Sequence, residues 1–210
     1  MTQITDEMLE ALRTAVSAQI GDYRMAHTLG VEREVCRMAA LYCPEKTNLL
    51  RAAALLHDVT KEQSDVEQMA IFAACGVTLR ADEAASPKVW HGMTAALLIP
   101  KAYPAFAHAE LISAVRWHTT GRAGMSLCDW LVYLADLTEE GRSFPDCVAL
   151  REMFWGAEPE KMSLPARRRH LLAVILHSLE KTLARLQASG GTVCLDTLAA
   201  LEELKNKTDL

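Results

Sequence analysis

The sequence predicts an all-α chain, a helical bundle of about nine helices, and three observations carry that prediction. Half of the 210 residues are hydrophobic but only 6% are aromatic, so Leu, Ala, Val and Met supply the apolar load, a mix that favours helices over strands. Apolar residues recur at helical spacing along the chain, and no stretch alternates at strand spacing. The 10 Gly and 7 Pro gather at a few breaks between long periodic segments. The length fits one domain, residues 1–210, and no internal repeat, low-complexity linker or composition shift divides it.

Thr5 or Asp6 can cap a first helix with apolar positions at Met8, Leu9, Leu12, Val16 and Ile20, ended by Gly21. A second runs from Asp22 to Tyr42 and stops at Cys43-Pro44. Its stripe of His27, Val31, Val35, Met38 and Tyr42 puts a histidine at the head of a core-facing row. The third, from Lys46 to His57, is rich in Ala and Leu. Ser64 to Glu67 reads as a capping box opening a short helix that Gly76 stops. Residues 77–86 are polar and read as irregular. Pro87 opens a helix that should end before Pro100, with His91, Ala95 and Leu98 on one stripe. The segment His108 to His118 places Leu111, Ala114, Val115 and His118 on one face. Ser126, with Asp129 three residues on, caps an apolar helix to Leu137 that carries Asp136 near its end. After the break at Gly141 to Pro145 come a helix to Trp155, a long one from Pro165 to Ser189, and a short one from Asp196 to Lys205, with the last five residues frayed.

The formal net charge is −5, and the one basic cluster, Arg167-Arg168-Arg169, reads as a solvated face. That balance argues against a nucleic-acid or membrane-surface binder and leaves room for a small anionic substrate. The six cysteines form no C-x-x-C pair and several occupy apolar helical positions, so they read as small buried hydrophobes in a reducing compartment. The N-terminal residues show no charged-then-apolar targeting pattern and no apolar run approaches ~18 residues, which predicts a cytoplasmic protein.

Three sites break the apolar pattern: His27, the pair His57-Asp58 at the end of an Ala/Leu helix, and Asp136. Burying an imidazole or carboxylate without a partner is costly, and a divalent cation would satisfy all four groups at once. The alternative for the pair is a helix end with His⁺ near the dipole and Asp in solvent. Four N/O ligands spread over three helices suit a first-row ion in the core of a bundle.

The order His27 … His57-Asp58 … Asp136 resembles the H…HD…D signature of the HD-domain metal phosphohydrolases. The segments Arg24-Met-Ala-His27, Leu55-Leu-His-Asp-Val-Thr-Lys61, His118-Thr-Thr-Gly-Arg122 and Val132-Tyr-Leu-Ala-Asp136 with Gly141-Arg142 are similar to those of the YqeK family. The resemblance spans about residues 22–155. It implies a single HD-domain bundle, with the helices of 156–205 set against that core, that hydrolyses diadenosine tetraphosphate symmetrically to two ADP. It also implies a divalent metal, iron first, with manganese or another first-row ion as alternatives. Carried over, the metal ligands are His27, His57, Asp58 and Asp136. Arg24, Asp58, Val59, Thr60, Lys61, His91, His118, Thr119, Asp136 and Arg142 surround the nucleotide. Val59-Thr60 and Glu140 depart from the family's usual residues.

Asp58 is expected to be both ligand and proton acceptor, and Lys61, about one helical turn on, a point charge for phosphate. His91 and His118 could donate to phosphate, protonate the leaving group or hold a second metal; the first two roles are preferred. These two, with Asp58 and Lys61, form the expected catalytic set. The C-terminal helices could close over the base. The expected partner is a dinucleoside polyphosphate or ADP, to a monomer or homodimer. Two other readings remain: an HD phosphohydrolase acting on another nucleotide, and a nucleotide sensor that turns nothing over.

Overall fold

A computed structural model describes residues 3–208. Eleven α-helices follow in order: α1 Asp6–Ser17, α2 Asp22–Tyr42, α3 Thr47–Leu56, α4 Asp65–Ala74, α5 Ala81–Ala84, α6 Trp90–Ala102, α7 Ala109–Trp117, α8 Leu127–Thr138, α9 Pro145–Trp155, α10 Leu164–Ala188 and α11 Leu195–Thr208. Short 3-10 turns at Pro44–Lys46, Pro87–Val89, Pro104–Phe106 and Pro159–Lys161 each begin at a proline, whose fixed φ suits a first helical position. Among the described residues there is no strand, and no helix is long and apolar enough to cross a membrane.

The centre of the molecule is α3. Ala52, Ala53, Ala54, Leu55 and Leu56 are all fully buried, as expected for a helix apolar on every side. It touches α1, α2, α7 and α8, and its alanines let those neighbours approach closely. The apolar stripes of α2 and α7 read from the sequence are buried as predicted: Val31, Val35, Met38, Tyr42, Leu111, Ala114 and Val115. Leu171, Val174, Ile175 and Leu179 of α10, with Ala200 and Leu204 of α11, complete the same core.

Predicted caps hold. Ser64 and Glu67 make a reciprocal box at α4, and Ser126 with Asp129 does the same at α8. Three boundaries differ, the first being α1, which ends at Ser17 rather than at Gly21 after Ile20. The segment 77–86 contains α5, because Glu83 accepts from the Arg80 backbone N–H at 2.9 Å and from Arg116 Nη2 at 3.0 Å, while its carbonyl takes the Trp90 indole N–H at 2.7 Å. Of these partners Arg116 lies 33 residues further along the chain. Likewise α6 runs through Pro100 to Ala102, held by the burial of Ala96 and Ile99 although a proline removes one ladder bond.

The basic cluster also needs correction. Arg168 and Arg169 are exposed, but Arg167 is half-buried and ties Pro159 and Leu41 carbonyls together across α10 and α2. The expected fraying at the C-terminus does not apply to residues 206–208, which lie in α11. Residues 209–210 lie outside the described residues.

Candidate metal centre and active site

The buried end of α3 sets the geometry. His57 follows its last helical residue, where carbonyls lack intrahelical partners. Its Nδ1 lies 2.6 Å from the Ala54 carbonyl oxygen, a contact that requires the N–H on Nδ1. Nε2 is therefore the bare lone pair, and it is buried without any hydrogen-bond partner. His118 repeats the device at the end of α7, with Nδ1 2.7 Å from the Val115 carbonyl. Both histidines stand at helix ends. The simpler alternative of a charged His57 beside a solvent-exposed Asp58 does not hold, since burial keeps His57 neutral and Asp58 is itself buried. Both rings donate from Nδ1, which leaves Nε2 aimed inward.

Around His57 Nε2 three groups converge. Asp58 Oδ2 is at 3.5 Å and Asp136 Oδ1 at 3.8 Å. His27 Nε2 lies 3.0 Å from Asp136 Oδ1 and 3.9 Å from Asp58 Oδ2. The helices responsible are α2 for His27, the end of α3 for His57 and Asp58, and α8 for Asp136. On the opposite side Asp58 Oδ1 stands 3.1 Å from His91 Nε2 and 3.6 Å from His118 Nε2, and those two nitrogens are 3.1 Å apart. Ligand-type atoms of His27, His57 and Asp58, and separately of Asp58, His91 and His118, all fall within 4.8 Å of one another. Asp58 belongs to both sets.

Three cations ring this core. Arg24 Nη1 donates to Asp58 Oδ2 at 2.6 Å. Arg142 pairs with the Asp136 carboxylate, donates from Nε to the Asp136 carbonyl at 2.9 Å, and brings Nη2 to 3.3 Å from His27 Nε2. Lys61 Nζ lies 3.1 Å from each ring nitrogen of His91.

The electrostatics match a cation site. Burial alone would lower His27, but hydrogen bonds to Asp136 and Glu139 outweigh it and push the imidazole up to about 9, so the carboxylates call for positive charge between them. Burial pushes His57 and His91 down to about 4, which keeps both imidazoles neutral and able to act as ligands or acceptors. Burial raises Asp58 and Asp136. Yet the imidazoles beside Asp58, and His27 with Arg142 beside Asp136, hold both carboxyls well below the ordinary range. Burial lowers Lys61.

An orphaned, buried imidazole lone pair facing two carboxylates and a second imidazole is satisfied by a divalent ion, and the N/O donor set suits first-row metals better than calcium. The residues present thus fit such an ion.

Glu139 is the residue that sequence reasoning missed. Buried one turn after Asp136, it accepts from His27 Nδ1 at 3.1 Å and so presents Nε2 to the cluster, an outer-shell arrangement typical of metal-bound histidines. Gly30 makes this possible, since a Cβ there would stand 2.2 Å from Glu139 Oε2. The available signal was a glutamate three residues after Asp136 and a glycine three residues after His27.

Other expected nucleotide contacts are placed differently. Val59 packs in the apolar core. The Thr60 hydroxyl donates to the His91 carbonyl at 2.9 Å and meets Thr94 Oγ1 at 2.8 Å. Thr119 has a buried hydroxyl with no partner and lines a cavity of about 500 Å³ between Pro87–Val89, the turn after α7, and Thr182, Leu186 and Thr197.

An all-α bundle with this His/Asp constellation defines a class, and the family comparison agrees: the HD domain model matches residues 23–141, and the chain belongs to that family. Its relatives include proteins named bis(5'-nucleosyl)-tetraphosphatase, symmetrical. The one from Bacillus subtilis is 28% identical over 69% of this chain and 75% of its own length. That from Halalkalibacterium halodurans is 26% identical over 90% and 92%, and that from Staphylococcus aureus 25% over 69% and 73%. A crystal structure from Clostridium acetobutylicum, described as a predicted HD superfamily hydrolase involved in NAD metabolism, superposes with a TM-score of 0.80 at 26% identity, covering 94% of this chain and 97% of that one.

Proposed function

We propose that this chain is a metal-dependent hydrolase that cleaves dinucleoside tetraphosphates symmetrically, giving two ADP from diadenosine tetraphosphate. The observation that carries the reading is the position of Asp58, with one carboxylate oxygen toward His27 and His57 and the other toward His91 and His118. The names of the relatives support the substrate.

His27, His57, Asp58 and Asp136 would hold the divalent ion, for which we propose iron. Such an ion polarises a phosphoryl oxygen and acidifies a water. Arg24, Lys61 and Arg142 bind the tetraphosphate and spread its charge. Asp58 accepts the proton of the attacking water. Oxygen adds to an inner phosphorus, and the bond from that phosphorus to the central bridging oxygen breaks. The proton taken by Asp58 passes across its 3.1 Å contact to the neutral His91 and on to the departing ADP oxygen. His118, whose Nε2 is 3.1 Å from that of His91, orients the donor. The cavity beside Thr119 is of the size that accepts small ligands and takes one nucleoside.

The test is Asp58→Ala in protein purified anaerobically. Metal content and hydrolysis should be lost together, and the wild-type protein should release ADP with no ATP or AMP. Full activity in Asp58→Ala would overturn the mechanism, and ATP with AMP would overturn the symmetrical cleavage.

A further inference from the structure

A substrate with two nucleosides needs two base sites, and the cavity beside Thr119 provides for one. The contacts of the centre run in order away from that cavity: His118 next to Thr119, then His91, Asp58, His27, Asp136 and Arg142. The two strongly exposed aromatic side chains among the described residues, Tyr23 at 82% and Phe144 at 62%, belong to the segments that carry His27 and Arg142.

Their positions tie them to the site. On α2, Tyr23 is four residues before His27 and so shares its face one turn nearer the helix N-terminus, with its Cβ tilted further that way. Its neighbour Arg24 reaches Asp58. Phe144 precedes α9 and follows two residues after Arg142, which is fixed to Asp136 and stands beside His27. Each aromatic is thus within two residues along the chain of an arginine anchored on one of the two central carboxylates. The rest of the chain buries most of its large rings: Phe72, Trp90, Phe106, Trp130, Tyr133 and Phe154 are all in apolar clusters. Two rings left in solvent beside phosphate-binding arginines are what a nucleobase can stack on, since every base offers a π-face.

We propose that Tyr23 and Phe144 form the stacking surface for the second nucleobase, the one on the side of the substrate away from the Thr119 cavity. This rests on the dinucleoside tetraphosphate reading. Stacking holds that base by its faces and reads no edge, so the second site is tolerant of base identity.

The experiment compares two probes on the metal-loaded protein by calorimetry: an uncleavable, methylene-bridged diadenosine tetraphosphate, and adenosine 5'-tetraphosphate, which has one base only. Wild type should bind the two-base probe about tenfold tighter, the scale of a base–aromatic stack. Tyr23→Ala combined with Phe144→Ala should erase that advantage while binding adenosine 5'-tetraphosphate as before, which also reports that the variant is folded. With cleavable substrate, KM should rise about tenfold with kcat little changed. The ring-retaining pair Tyr23→Phe and Phe144→Tyr should recover the advantage. An undiminished preference for the two-base probe in the double alanine variant overturns the proposal, as does equal binding of both probes by wild type. Failure of wild type to release ADP from the cleavable substrate would instead overturn the proposed reaction, and the two results are read separately.

Discussion

Glu139 lies behind His27 with its carboxylate Oε1 3.1 Å from Nδ1, and its other carboxylate oxygen, Oε2, accepts the Gly141 N–H at 2.6 Å. It fixes the direction of the ring and keeps a proton on Nδ1, so that Nε2, which turns its own proton toward Asp136, is the nitrogen that would give that proton up to a metal ion. Replacing Glu139 with Gln keeps the shape but removes the charge that sustains the Nδ1 proton. Outer-shell partners of this kind are worth about 10–100-fold in metal affinity, so Glu139→Gln should weaken metal binding by about that factor in a chelator competition assay. Affinity equal to wild type would remove Glu139 from the site. The residue was hard to read in the sequence because its value depends on Gly30, 109 positions earlier, leaving space that any Cβ would fill. His27, His57, Asp58 and Asp136 were legible for the opposite reason: each interrupts an apolar row, and the anomaly shows in a single line of text.

At the scale of elements, the site depends on where three helices stop. The end of α3 is held by the His57 contact to Ala54, and the start of α8 by the Ser126–Asp129 box. Ser126 Oγ accepts the Asp129 N–H at 3.2 Å, and losing such a cap costs about 1 kcal/mol. Ser126→Ala should thus lower Tm by about 2–4 °C in a chain of this size, measurable by calorimetry or circular dichroism, with no change in metal content because Asp136 lies over two turns away. A larger fall together with metal loss would mean that the cap also sets the position of Asp136. Caps of this type are local chemistry, which is why α4 and α8 were legible to within a residue or two. Helices α2 and α9, which have no side-chain cap, were legible from Gly21, Cys43-Pro44 and Pro145 at their ends. The short helix α5 was not, because its Glu83 is held by Arg116 and by the Trp90 indole. The passage of α6 through Pro100 was missed for the same reason: neighbours at Ala96 and Ile99 decide it, against the local preference of proline.

Across the whole molecule, the C-terminal helices are joined to the centre by a polar tie as well as by the core. The hydroxyl of Thr197 on α11 donates to the Thr120 carbonyl at 2.9 Å in a buried contact, and Thr120 lies two residues after His118. The amide of Gly124, at the other end of that turn, donates to Glu203 of the same helix. So α11 holds the turn that carries His118 and Thr119 and walls the cavity beside Thr119. His57 and the three groups around its Nε2 come from α2, the end of α3 and α8, none of which this tie touches. Thr197→Val preserves shape but leaves the Thr120 carbonyl buried without its donor, which costs about 1–3 kcal/mol. We expect it to lower stability by that amount and to raise KM for dinucleoside tetraphosphate several-fold, while metal content per chain stays at the wild-type value. The pairing of readouts is what locates the effect. Loss of metal along with affinity would show that α11 supports the His/Asp cluster itself, and an unchanged KM would show that the turn after α7 keeps its place without α11.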